Sequence, residues 1–239
     1  MAQILVYTAG RGGAAPYAAA ALRKAGIPLV DHPTPDATHL LLDVPCREIP
    51  EGLLERLPEN ITVAGGNLTH RALDGYRKLD FLKNEGYLAK NAAITADCAL
   101  RVAASRMTRV FAGSKVLVIG WGRIGKCLAR LLKDIGCCVT VAARKESDRA
   151  ILIAVGFDAA DPKAFVHPEQ FQLIFNTAPA LILDRDRLSQ CPDTLKIDLA
   201  SHPGLEGPDV IWARGLPGLY APESSGCLIA ETLIKEVSP

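Results

Sequence analysis

The sequence predicts an α/β protein of doubly wound, parallel-sheet type with a second, smaller α/β domain. Three observations predict it. Short apolar runs alternate with helical periodicity along the 239 residues, the pattern of parallel strands joined by crossover helices. The apolar run Lys115-Val116-Leu117-Val118-Ile119 passes straight into a glycine-rich turn and then a helix-period stretch. A second apolar run at residues 138–142 closes a unit of about 30 residues, the length of a strand–helix–strand crossover.

The elements follow in order. Residues 4–7 read as a strand and 14–25 as an alanine-rich helix stopped by Gly26, since glycine terminates helices in the left-handed region. Residues 28–30, 39–42 and 61–64 read as short strands, separated by loops that Pro33, Pro35, Pro45, Pro50 and Pro58 punctuate. Thr95 is a candidate N-cap for a linking helix over 95–112. After the 115–119 strand, Ile124, Leu128, Leu131, Leu132 and Ile135 repeat at the 3.6-residue period, and Gly136 ends that helix. Residues 173–175, 195–199 and 210–212 read as further strands, and a last helix runs over about 224–237. The division expected is a small flavodoxin-like domain at 1–94, the linking helix, a nucleotide-binding domain at 113–222, and a C-terminal helix at 223–239 packing back toward the first domain.

Composition narrows the function classes. Hydrophobic residues are 49% and charged residues 22%, an ordinary globular mixture. Lys+Arg number 27 against 26 Asp+Glu, for a net charge of +1, without the basic excess of a nucleic-acid binder. No apolar run approaches the roughly 18–20 residues that span a bilayer, and no charged leader precedes an apolar core, so neither a membrane span nor a signal peptide is expected. Seven cysteines, an odd number with no Cys-x-x-Cys pair, predict buried thiols in a reducing cytoplasm and no metal site.

The turn Gly120-Trp121-Gly122-Arg123-Ile124-Gly125 follows a strand and opens a helix, the setting in which this spacing binds a dinucleotide. Gly120 permits the tight turn, Gly122 lets the backbone approach a pyrophosphate, and Gly125 lets helix and strand pack closely. Free N–H groups and the positive end of the helix dipole then favour the phosphates. At the end of the next strand, where an NAD site places Asp or Glu, stand Ala143, Arg144 and Lys145. A guanidinium pairs with a phosphate in a geometry that a ribose diol does not need, so the cofactor expected is NADP. Glu146 could reach a ribose hydroxyl and keeps NAD open.

With Gly113-Ser114-Lys115-Val116, the glycine turn and Ala143-Arg144, the segments Asn176-Thr177-Ala178-Pro179-Ala180, Asp198-Leu199-Ala200-Ser201 and Leu216-Pro217-Gly218 resemble the dipicolinate synthase A-subunit family. Asn91, Thr95 and Ala96 resemble that family's entry to its linking helix. The resemblance implies a two-domain fold akin to the D-2-hydroxyacid dehydrogenases. It also implies a cytoplasmic, NADP-linked oxidation of a dihydrodipicolinate-type precursor to dipicolinate during sporulation, with a flavoprotein-like B subunit for its partner. Departures fall at His202, where the family has a basic residue, at Gly204, where it has a glycine pair, and at Glu223, where it has lysine.

Ligands of doubly wound folds lie beyond the C-terminal ends of the strands, which places Asn176, Thr177, Ala178, Ser201 and His202 along the cofactor path. His202, with Ser201, is the candidate catalytic pair. Arg11, in a glycine-rich turn, Thr95 and Ser224 are candidates to hold a small dicarboxylate substrate. A homo-oligomer is expected. Two other readings stay open: a nucleotide-binding protein without catalysis of its own, and a dehydrogenase for another small carboxylic acid.

Overall fold

In the computed structural model, residues 4–163 and 167–237 are described. In chain order the elements are β1 (Val6–Thr8), α1 (Ala15–Lys24), β2 (Leu29–Val30), β3 (His39–Leu41), β4 (Thr62–Gly65), β5 (Arg77–Asp80), α2 (Glu85–Ala104), β6 (Lys115–Ile119), α3 (Arg123–Asp134), β7 (Cys138–Ala142), α4 (Glu146–Ala154), β8 (Asp158–Ala160), β9 (Leu173–Asn176), α5 (Arg185–Ser189), β10 (Leu195–Asp198), β11 (Val210–Trp212), α6 (Leu216–Tyr220) and α7 (Pro222–Val237). The chain divides into two units. One holds the residues up to Ile94 with those from Pro217 onward, and the other holds Thr95–Leu216.

The first unit is a five-stranded sheet in the order β2-β1-β3-β4-β5 with every pair parallel, the flavodoxin-like order. Alternation along the strands sends Leu41 and Ala64 to one face and Leu40 and Val63 to the other. The first face is covered by helices: Ala18 and Leu22 of α1, Tyr87 of α2, and Leu228, Ile229 and Leu233 of α7 form one core with Val6 and Phe81. The second face is covered by loop residues, with Cys46, Leu53, Leu57, Leu68 and Leu73 buried against Leu40 and Val63. β5 escapes sequence reading because Arg77-Lys78-Leu79-Asp80 has three charged residues in four and sits at the sheet edge, where charge is tolerated.

The second unit is a six-stranded parallel sheet in the order β11-β10-β9-β6-β7-β8. Counted within the unit, that is the Rossmann order, whose reversal falls between β6 and β9. Leu128 and Leu132 of α3 are fully buried, and Leu117, Ile119 and Ile174 share a core with Leu183, Leu188 and Leu205.

Two expectations need correction. The helix expected over 95–112 runs instead over Glu85–Ala104. Asn84 caps it, its Oδ1 accepting from Tyr87 N–H at 2.9 Å, so Thr95 is a buried interior residue and not an N-cap. Nor are the cysteines uniformly buried. Cys46, Cys98, Cys137 and Cys191 are, but Cys138 and Cys227 are exposed. Burial pushes the Cys137 thiol up to about 11. No helix among the described residues is long and apolar enough to cross a membrane.

Candidate nucleotide site

The site is built where β6, β7 and β9 end in register, with Ile119 paired to both Ala142 and Asn176. Gly120 turns the chain away from β6 with φ +100°, a conformation that costs other residues steric strain. A Cβ there would lie 2.5 Å from Thr177 Oγ1. Gly125 brings α3 onto the strand so closely that a Cβ would collide with the Gly120 carbonyl. At Gly122 a Cβ would meet nothing within 4 Å, so the backbone lies open to a ligand. Gly122 is also the N-cap of α3 and supplies no side chain to the first turn, and the first turn of a helix presents the positive end of its dipole to an anion.

Beside this turn is a cavity of about 650 Å³, lined by Gly120 and Trp121, by Ala143, Arg144, Lys145 and Asp148 around the start of α4, by Lys163, and by Ala178–Ile182, Asp184 and Arg187. Its volume falls within the range of roughly 300–1,000 Å³ for small-molecule sites. Trp121 stands edge-on to Phe157 at 6.0 Å, and Lys126 Nζ lies 5.8 Å from its ring centre. An open backbone at Gly122, an uncapped helix start and a cavity whose rim carries Arg144 and Lys145 fit a dinucleotide phosphate better than an uncharged ligand.

Of the residues predicted to bind cofactor, Gly120, Trp121, Ala143, Arg144, Lys145 and Ala178 line this one cavity. Gly122, Arg123, Ile124 and Gly125 form the turn and first helical residues beside it. Asn176 and Thr177, expected on the cofactor path, make protein hydrogen bonds through their side chains. Asn176 is fully buried; its Nδ2 donates to Ala178 O at 3.0 Å and Asp198 Oδ1 at 2.9 Å, and its Oδ1 accepts from Ala178 N–H. Thr177 Oγ1 donates to Ile119 O at 2.9 Å. Asn176 braces the ends of β9 and β10 from inside, and the half-buried Thr177 ties the end of β9 to that of β6. Lys145 is the N-cap of α4.

The remaining predicted residues lie elsewhere. Ser201 and His202 are exposed on the loop after β10, with Ser201 Oγ and His202 Nδ1 3.2 Å apart. Arg214 donates to the Ser201 carbonyl. Arg11 and Ser224 are exposed on the first unit. The glycine-rich turn that carries Arg11 is already engaged: Asp43 accepts from Arg11 N–H at 2.9 Å and from Gly12 N–H at 3.0 Å.

Sequence reading missed Asp148, Lys163, Asp184 and Arg187 on the cavity and Asp198 beneath the strand ends. Asp198 is fully buried, and its carboxylate accepts from Asn176 Nδ2 and from the N–H groups of Ala200, Gly204 and Leu205 at 2.6–3.0 Å. A signal existed for Asp148: Glu146 and Asp148 in a helical first turn complement the dipole of α4.

The strand orders and the cavity define a two-unit α/β protein whose second unit has the Rossmann fold. No family model matches the chain. The A subunit of dipicolinate synthase from Bacillus subtilis (strain 168) is 30% identical over 199 residues, which are 76% of this chain and 66% of that protein. The crystal structure of the corresponding A subunit from Bacillus halodurans superposes with a TM-score of 0.80 over 98% of both chains, at 22% identity. Salmonella D-lactate dehydrogenase shares the fold at a TM-score of 0.65 and 13% identity, over 98% of this chain and 96% of that one. The chain belongs to the dipicolinate synthase A-subunit family.

Proposed function

We propose that this protein is an NADP-dependent oxidoreductase that oxidises a dihydrodipicolinate-type dicarboxylate to dipicolinate. The observation that carries the proposal is the pairing of the open Gly122 turn with Arg144 and Lys145 on the rim of the same cavity, within a chain of this family. The first turn of α3 would hold the pyrophosphate. Arg144 and Lys145 would hold the phosphate that distinguishes NADP from NAD. When bound, the nicotinamide supplies the hydride acceptor, and the substrate's gain of aromaticity supplies the driving force.

The chain's own tasks are to orient the substrate, hold its carboxylates and take up one proton. We assign the proton to His202, whose Nδ1 has the Ser201 hydroxyl as partner, and carboxylate binding to Arg11, with Ser224 contributing a hydroxyl. Because the relatives carry the name of one subunit of a synthase, the active assembly is proposed to include a B subunit.

One observation favours a second reading, a nucleotide-binding protein without turnover. Asp43 occupies the backbone N–H groups of Arg11 and Gly12, which removes a natural seat for a substrate carboxylate and puts a negative charge beside it. The experiment is titration of the purified protein with NADP and NAD, followed by supply of a fresh dihydrodipicolinate mixture, with and without a B subunit. The expected result is tighter binding of NADP and formation of NADPH. Tighter NAD binding overturns the cofactor assignment. NADP binding without turnover in either arm establishes the second reading.

A further inference from the structure

The phosphate-facing turn has an internal clamp. Arg149, one turn into α4, directs a single guanidinium nitrogen at two successive carbonyls, Ala143 O at 2.8 Å and Arg144 O at 2.9 Å. The same nitrogen is 3.4 Å from the carboxylate of Asp161, just past β8. Arg149 and Asp161 are mostly covered, with side chains 22% and 35% exposed. Arg149 does not line the cavity, whereas Ala143, Arg144 and Lys145 do.

The physical consequence follows from the peptide geometry. A carbonyl and the next N–H point to opposite sides of a rigid, planar peptide. Fixing the carbonyls of residues 143 and 144 toward α4 therefore fixes how the backbone presents Arg144 and Lys145. A flexible cation loses rotamer freedom when it binds a phosphate, and a backbone already held reduces that loss. Lys145, the N-cap of α4, makes no side-chain capping bond, so the helix start itself does not fix this turn.

We propose that Arg149 is a positioning residue for phosphate preference: through the Ala143 and Arg144 carbonyls, and braced by Asp161, it sets how strongly this site prefers a nucleotide with an additional ribose phosphate. The inference rests on the NADP reading of the cavity. It assigns Arg149 a role distinct from that of the cations at the rim. Arginine matters here because its longer side chain carries one terminal nitrogen to two carbonyls and a carboxylate together, a reach that the shorter lysine ammonium does not reproduce.

The test uses the intact chain, with NADPH and NADH titrated into the wild type and into Arg149→Met, Arg149→Lys and Asp161→Asn, each checked for native circular dichroism. Arg149→Met is expected to lower the NADPH-over-NADH affinity ratio by about tenfold, with NADH affinity changed by less than about twofold. Arg149→Lys is expected to recover only a minor part of the ratio. An unchanged ratio in Arg149→Met overturns the inference. So does full recovery in Arg149→Lys, because long-range charge would then account for the effect. If Arg149→Met does not fold, Asp161→Asn decides: a two- to threefold fall in the ratio is expected on loss of the brace, and no fall overturns it. A wild type that prefers NADH defeats the cofactor reading itself, whereas a wild type that prefers NADPH with an indifferent Arg149→Met defeats the clamp alone.

Discussion

Asp198 and Arg144 illustrate two uses of charge at the ends of neighbouring strands. Asp198 is sealed from solvent and meets four donors, three of them backbone N–H groups of the segment 200–205. Replacing Asp198 by Ala leaves buried donors without partners, at about 1–3 kcal/mol each after relaxation. The variant is expected to lose about 3–5 kcal/mol in urea unfolding; a loss below about 1 kcal/mol would show that water replaces the carboxylate. Arg144 is exposed on the cavity rim, so Arg144→Ala is expected to leave stability unchanged within about 0.5 kcal/mol. It should weaken NADP about tenfold or more relative to NAD, and equal losses for the two nucleotides would remove the assignment. The sequence exposed Arg144 because its meaning depends on a short local distance from the glycine turn. It hid Asp198, which lies 22 positions from its partner Asn176 and meets it only through the β9–β10 pairing. For the same reason Asn176 reads as a ligand from sequence and is an interior brace in the structure.

At the scale of elements, legibility follows the strength of the local signal. β6, β7 and β11 are found at the residues expected because each is an apolar run bounded by turn residues. The start of α2 is misread because Asn84 and Thr95 are both competent caps, and the choice between them depends on Tyr87 entering the first unit's core. Helix packing gives a sharper test. Gly226 is where α7 meets α1: a Cβ there would lie 2.6 Å from Ala14 O and Tyr17 Cβ and 2.7 Å from Ala18 N. Backbone cannot yield as a side chain does, so Gly226→Ala is expected to cost about 1–3 kcal/mol. Gly218→Ala, where a Cβ meets nothing within 4 Å, is the control and should be neutral or slightly stabilising. Equal effects of the two substitutions would refute the close approach. On the outer surface of the same helix, hydrogen bonds from Lys235 and Lys90 hold the Glu231 carboxyl down at about 2, against 4.5. A lowered carboxylate pKa adds stability above the unfolded value, and that stability is lost as pH falls from about 4.5 to about 2. Glu231 is 42% exposed, so solvent screening limits its worth to less than about 1 kcal/mol. Glu231→Gln should be slightly less stable than wild type at pH 7 and indistinguishable from it near pH 2. A difference that grows toward acid would have the wrong sign for this ion pair.

For the whole molecule, chain order and folding unit do not coincide. The first unit takes α7 from the far end of the chain, and α7 supplies Leu228, Ile229 and Leu233 to the core that also holds Val6, Leu22, Leu41 and Phe81. Burying each such side chain is worth about 1.5–3 kcal/mol, so removing all three takes about 5–9 kcal/mol from a unit whose net stability is of order 5–15 kcal/mol. The second unit, Thr95–Leu216, draws its Leu117, Ile119, Ile174, Leu183 and Leu188 core from its own residues. A chain ended after Leu216 is therefore expected to lose the first unit and keep the second. Amide hydrogen exchange distinguishes the outcomes, because protection reports local stability element by element. β1, β3 and β4 should exchange near the unfolded rate while β6, β7, β9 and β10 stay protected, and the shortened chain should still bind NADP through the Gly122 turn. Retained protection in β3 and β4 would show that α1, α2 and the loop-covered face, with Leu40, Val63, Leu53 and Leu57, suffice to hold the first sheet without α7.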